Sequence, residues 1–149
     1  MKIQILNGPN LNRLATREEK FYGKEDFELI LTWLVENFPE HEILYFQSNI
    51  EGEIIDRIQA LPEENIEGLV INPGAYSHYS IAIRDAIEAL PLPVIEVHLS
   101  NIYSREPFRQ VSVISPVVMG VISGLGKESY RLAIDYFKHT VKKKIGFKS

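Results

Sequence analysis

The stretch Gly68-Leu69-Val70-Ile71-Asn72-Pro73-Gly74 is an unbroken apolar run that stops abruptly at polar and turn-forming residues. An apolar run this short, with no polar alternation, is the pattern of a strand buried on both faces, as in parallel sheets. Two further runs end in the same way. Ile3 to Leu6 passes into Asn7-Gly8-Pro9-Asn10, and Val94 to Val97 passes into His98-Leu99-Ser100-Asn101. In open parallel sheets ligands bind beyond the carboxyl ends of the strands, so the three polar clusters are expected to meet in space.

Outward from these runs, strand-like and helix-like patterns alternate over short connections, which is the α/β pattern. A long polar loop, residues 8–24, follows the first strand. Phe27, Ile30, Leu31, Leu34, Val35 and Phe38 then recur at helical spacing. Residues 41–47 read as the second strand, and Ile54, Ile55, Ile58 and Leu61 mark a helix closed by Pro62. Residues 68–72 are the third strand. Ser80 is placed to cap a helix carrying Ile83, Ala86, Ile87 and Leu90, which Pro91 and Pro93 stop before a fourth strand over residues 94–99. Residues 117–123 read as the fifth strand, followed by a last helix with Tyr130, Ala133, Tyr136, Phe137 and Val141 on its apolar side. Five βα units with right-handed crossovers predict a flavodoxin-like, doubly wound, five-stranded parallel sheet in the order 2-1-3-4-5, with helices on both faces.

The 149 residues suffice for one domain spanning residues 1–149, able to bury about 70% of its unfolded surface. Cysteine is absent, which removes disulfides, thiolate metal sites and cysteine nucleophiles and suits a reducing compartment. Met1-Lys2 leads into only a handful of apolar residues, so no signal peptide is expected, no run reaches membrane-spanning length, and a cytoplasmic setting follows. A net charge of −4 argues against nucleic acid or an anionic membrane as partner. Lys142-Lys143-Lys144 reads as a solvated helix end.

The chemistry is concentrated at the strand ends. The first loop carries Asn10, Asn12, Arg13, Arg17 and Tyr22, and loops of this length in compact domains tend to be lids. A guanidinium near a phenol favours tyrosinate, whereas an unassisted tyrosine is ionised only about once in a thousand molecules at pH 7. Equally, Arg17 reads as a surface residue and Tyr22 as a loop anchor. At the second end, His78 reads as a functional or a capping histidine, and Asp85 as a site residue, an exposed helix residue or a partner of Arg84. At the third, residues 96, 98 and 100 share a strand face, so Glu96 can orient His98. A glutamate and a histidine inside an apolar strand are costly unless paired. Arg105 and Arg109 lie one turn apart if their segment is helical, and arginine grips carboxylates with a planar fork; solvated charges are the alternative for Arg105. Gly124-Leu125-Gly126 lacks the remaining glycine of a dinucleotide fingerprint, and Glu128 stands where a P-loop needs Ser or Thr. No His-x-His or His-Glu-x-x-His spacing supports a metal site.

In order and spacing these clusters resemble the type II 3-dehydroquinate dehydratases over nearly the whole chain. The resemblance is carried by residues 6–12, Thr16-Arg17-Glu18, Tyr22-Gly23, Phe46-Gln47-Ser48-Asn49, Glu51-Gly52, residues 71–76 with His78, residues 94–101, residues 105–109 and Ile114-Ser115-Pro116. It implies dehydration of 3-dehydroquinate to 3-dehydroshikimate without cofactor or metal, in the shikimate pathway or quinate breakdown, by anti elimination through an enolate. It further implies Tyr22 as base, Arg17 as its assistant, His98 as acid oriented by Glu96, and Asn10 beside the water that stabilises the enolate. Asn72, His78, Asp85, Leu99, Ser100 and Arg109 match the substrate-binding positions. The lid would span about residues 12–24, and the resemblance implies a homo-oligomer, a dodecamer built as a tetramer of trimers. Ala15, Glu19 and Tyr79 depart from the family pattern, the first two in the lid and Tyr79 at the pocket wall or a subunit contact. Two other readings of the topology are a flavin-binding module, for which the first loop is poor in Ser, Thr and Gly, and a signalling receiver, which needs an aspartate where Asn72 stands.

Overall fold

Five parallel strands form one sheet in the order β2-β1-β3-β4-β5: β1 (Lys2–Asn7), β2 (Glu42–Gln47), β3 (Gly68–Asn72), β4 (Val94–His98) and β5 (Gly120–Ser123). This computed structural model describes residues 1–16 and 26–144. The sheet is covered by α1 (Phe27–Asn37), α2 (Glu51–Ala60), α3 (Ile81–Glu88) and α4 (Glu128–Lys144). The order and the two-sided covering are those expected of a flavodoxin-like sheet.

Side chains alternate across each strand and so divide the core in two. Ile3, Ile5, Val70, Ile95 and Val97 face α1 and α4, where Phe27, Ile30, Leu34, Tyr130, Ala133, Ile134 and Phe137 meet them. Leu6, Leu69, Ile71 and Val94 face α2 and α3 and pack on Ile54, Ile58, Ile83 and Ile87. Each full burial of a residue of this size contributes about 1.5–3 kcal/mol relative to exposure. The one buried polar side chain within the middle of β1, Gln4, accepts from Arg57 of α2 at 2.6 Å, and Arg57 in turn pairs with Glu64 at 2.7 Å. That network satisfies an amide that burial would otherwise penalise.

The helix boundaries follow local chemistry. Asp26 accepts from the Phe27 amide at the start of α1, and Ser80 accepts from the Ile83 amide at 3.1 Å at the start of α3. Both satisfy amides that a helix start leaves without a partner.

The crossover from β4 to β5 departs from the sequence expectation. It contains no α-helix but three short 3₁₀ turns, Ile102–Ser104, Pro107–Gln110 and Ser115–Val117, so four of the five expected βα units have a true helix. Pro107 and Pro116 each enter the first positions of a turn and deny the amide a longer helix needs. The same turn at Ser115–Val117 shortens the fifth strand from the expected residues 117–123 to Gly120–Ser123. Among the described residues no helix is long and apolar enough to cross a membrane.

Register brings the polar strand ends level. Asn7 lies opposite Gln47 on one side and Asn72 on the other, and His98 lies opposite Ser123.

Candidate active site

The first loop leaves β1 through a very close approach. The Gly8 amide donates to the Asn72 carbonyl at 2.8 Å, and a side chain on Gly8 would bring its Cβ to 2.3 Å from the Pro73 oxygen. Two residues later Asn10 adopts a left-handed backbone, φ 66°, a conformation asparagine tolerates better than most residues. It is held there by Asn49, whose Oδ1 accepts from the Asn10 amide at 2.9 Å and from Gln47 Nε2 at 3.1 Å.

At the end of β3, Asn72 is buried and its amide is oriented at both ends. Oδ1 accepts from the Gly74 amide at 3.1 Å, and Nδ2 donates to the Tyr130 hydroxyl at 3.0 Å. Tyr130, wholly enclosed on α4, donates in turn to Asn7 Oδ1 at 2.8 Å. Gly74, with φ 60°, makes the turn into the Gly74–His78 segment. There His78 Nδ1 donates to the Val111 carbonyl at 2.8 Å, which fixes the neutral tautomer and leaves Nε2 as an acceptor. Burial lowers the His78 pKa, against the opposing pull of that hydrogen bond.

At the end of β4, His98 and Glu96 are both buried, and Nε2 lies 3.3 Å from Glu96 Oε2. The approach is off the hydrogen-bond axis, so the pairing is an electrostatic contact at ion-pair distance rather than a linear hydrogen bond. Burial pushes the Glu96 pKa up, but His98, Ser115 and Ser112 outweigh it and hold the carboxyl below its ordinary value. Ser115 Oγ donates to Oε2 at 2.6 Å and Ser112 Oγ to Oε1 at 2.9 Å.

Asn10, Asn72, His78, His98, Leu99, Ser100 and Arg109 line one cleft, joined by Arg105. It encloses about 540 Å³ when the space open at its mouth is counted. Arg109 is aimed by Glu106, whose Oε2 accepts from its Nε, and lies over the Phe108 ring at 5.0 Å. Arg105 Nη1 reaches Ser100 Oγ at 3.4 Å. The cleft therefore offers two guanidinium groups, two imidazoles and amide donors to a small polar anion.

The sequence model of the family described as dehydroquinase class II matches residues 1–138. The chain belongs to the class II dehydroquinase family. It is 53% identical over 137 residues to the 3-dehydroquinate dehydratase of Lachnoclostridium phytofermentans, covering 91% of this chain and 94% of that one. Against the 3-dehydroquinate dehydratase of Bacillus licheniformis the identity is 54% over 141 residues, covering 93% and 96%. The crystal structure of a type II dehydroquinase from Butyrivibrio crossotus superposes with a TM-score of 0.90 at 47% identity, covering 93% of this chain and 97% of that one.

Within this dehydroquinase chain most of the residues proposed from sequence converge, with Glu96 directly behind His98. Asp85 does not join them. It is exposed on α3, 3.2 Å from Arg84, outside the lining of the cleft in its own chain. Tyr79 likewise sits outside the lining, exposed and edge-on to Tyr76 at 5.7 Å, so it does not form the cleft wall. Arg17 and Tyr22 lie outside the described residues. Among the described residues no three His, Cys, Asp or Glu side chains gather in a way that would hold a metal ion.

Sequence reasoning assigned no role to four residues that shape the site: Asn49, Ser112, Ser115 and Tyr130. Ser112 and Ser115 left a faint signal, two hydroxyls beside a turn-forming proline. Tyr130 left none, because its place on the apolar stripe of α4 reads as ordinary core.

Proposed function

We propose that this class II dehydroquinase dehydrates 3-dehydroquinate to 3-dehydroshikimate in the shikimate pathway, by anti elimination through an enolate. Tyr22, as the phenolate assisted by Arg17, takes the proton from the carbon beside the ketone. The electron pair left on carbon delocalises onto the ketone oxygen, where a water held by Asn10 and neighbouring donors stabilises the negative charge. The enolate then collapses to a conjugated enone, breaking the bond to the hydroxyl, and His98 supplies the proton with which that hydroxyl leaves as water. The base ends protonated and the acid ends neutral, so returning one proton from Tyr22 to His98 closes the cycle.

The observation that carries the reading is the convergence of Asn72, His78, His98, Leu99, Ser100 and Arg109 in one cleft at three strand ends. Arg109 and the backbone amides of Leu99 and Ser100 suit the substrate carboxylate, while Asn72 and the His78 Nε2 acceptor suit its hydroxyls. The full chain works as one catalytic domain with residues 12–24 as lid, in the cytoplasm, as a dodecamer built from four trimers. In that assembly Asp85 is a substrate-binding residue only where its exposed carboxylate reaches a cleft other than its own. Incubation of the protein with 3-dehydroquinate, followed by proton NMR of the mixture, is expected to show a vinyl proton of a conjugated enone. Unchanged substrate would overturn the assignment.

A further inference from the structure

One short segment, residues 111–115, touches His78 directly and reaches His98 through Glu96. The Val111 carbonyl receives His78 Nδ1, and the Val113 amide donates to the Ser77 carbonyl at 2.8 Å, tying the segment to the turn that carries His78. Ile114 is fully buried in the core on the α2 and α3 side of the sheet. The hydroxyl of Ser112 accepts from the Ile114 amide at 3.2 Å and from the Ser115 amide at 3.0 Å. A serine hydroxyl has two lone pairs and one proton. With both lone pairs occupied by backbone amides, the proton is directed at Glu96 Oε1, 2.9 Å away. Ser115 donates to the other oxygen at 2.6 Å, the same oxygen that faces His98.

We propose that Ser112 and Ser115 are positioning residues for the proton donor: their hydroxyls hold Glu96 in its ionised form and thereby keep the proton of the Glu96–His98 pair on the imidazole. A buried glutamate and histidine share one proton in two ways, as carboxylate with imidazolium or as carboxylic acid with neutral imidazole, and burial alone favours the uncharged version. Two hydroxyl donors, one on each oxygen, stabilise the carboxylate more than the carboxylic acid, and so add to the pull of His98 toward the ionised form. The depressed Glu96 pKa agrees with that direction. The other titratable or charged groups about the pair among the described residues are His78, across the cleft on the Gly74–His78 turn, and Arg105 and Arg109 on the crossover. His78 is held neutral by the Val111 carbonyl, so Arg105 and Arg109 are the fixed cations that line the cleft beside the pair, and Glu96 is the carboxylate set against His98.

The inference rests on the proposed dehydration, because that reading makes His98 the acid. Ser115→Ala is the cleaner test, since Ser112 still holds the 115 amide; Ser112→Ala is the second variant. In ¹⁵N NMR of the imidazole, the titration of His98 in either variant is expected to move to lower pH by about one unit. The turnover number at neutral pH is expected to fall with it, and Ser115→Thr, which keeps the hydroxyl, is expected to restore both. A His98 titration that overlays that of the unmodified protein, whatever the rate does, overturns the proposal. If the unmodified protein fails to turn over 3-dehydroquinate while the titration still moves, the serines hold the proton as described and the reaction assignment is what falls.

Discussion

Tyr130, at the start of the last helix, accepts a 3.0 Å hydrogen bond from the amide of Asn72, at the tip of the third strand, 58 residues earlier in the chain. The bond settles which way the Asn72 amide points and leaves its second N–H for the cleft. Tyr130→Phe keeps the ring and its edge-on packing with Phe27 at 5.1 Å but strands Asn72 Nδ2 and Asn7 Oδ1. The expected loss is about 1–3 kcal/mol of stability, read from urea unfolding, together with a raised KM at little changed kcat. Unchanged stability and KM would show that the hydroxyl orients nothing.

Gly8→Ala is expected to be far more damaging than its size suggests. The new Cβ would sit 2.3 Å from the Pro73 carbonyl oxygen, backbone against backbone, with no flexible side chain to move aside. The first and third strand ends would have to separate, at a cost of about 3 kcal/mol or more. The check is the thermal midpoint of purified Gly8→Ala; a midpoint equal to that of the unmodified protein would contradict the packing described.

Three of the groups with shifted pKa values, Glu96, His78 and Tyr45, shape the dependence of stability on pH, and His41, also lowered by burial, adds to the acid side. The Glu96 pKa is lowered, so the stability it contributes is complete above the unfolded carboxyl value and is lost as pH falls through its depressed folded value. The His78 pKa is also lowered, chiefly by burial, so folding favours its neutral form and its contribution fades as pH falls from about 6.5 downward. On the alkaline side, burial pushes the Tyr45 phenol up to about 12, so its contribution is complete below the unfolded value of about 10 and is lost as pH rises from there through 12. Urea midpoints measured across this range are expected to hold a plateau near neutrality and drop on both sides. Removing the histidine with His78→Gln is expected to reduce the fall in stability as pH drops below about 6.5.

Arg109 is expected to act on binding rather than on the chemical step. Its guanidinium is held by Glu106 and lies over Phe108 at the wall of the cleft. Losing a charge-assisted contact of about 1.5–3 kcal/mol corresponds to a KM raised about 10- to 100-fold in Arg109→Ala. Steady-state kinetics separate the two parameters, and a loss confined to kcat would contradict the assignment.

How much of this was legible in the sequence depended on distance along the chain. Strand β3 and the cap at Ser80 were readable because their signals are local: an apolar run ended by Pro-Gly, and a hydroxyl one position before a helical stripe. The crossover between β4 and β5 was less so. Arg105 and Arg109 would lie one turn apart only if their segment were helical; Pro107 breaks the segment, and the cleft receives the two arginines from separate turns. The pairing of Glu96 with His98 was visible as two costly residues on one strand face. The hydroxyls of Ser112 and Ser115, 16 and 19 residues away from Glu96, and the phenol of Tyr130 belong to contacts that no short periodicity encodes. Asp85 shows the opposite case, a residue matched to the family by position that this chain places outside its own cleft.

In the proposed reaction a phenol and an imidazole, Tyr22 and His98, divide one elimination between them. Its most direct test is the ultraviolet absorbance of the enone formed from 3-dehydroquinate by the unmodified protein, Tyr22→Phe and His98→Ala, each confirmed folded by circular dichroism. A steady rise is expected with the unmodified protein and a turnover reduced by at least about 100-fold in each variant. Near-parental rates in either variant, or no rise with the unmodified protein, would contradict it.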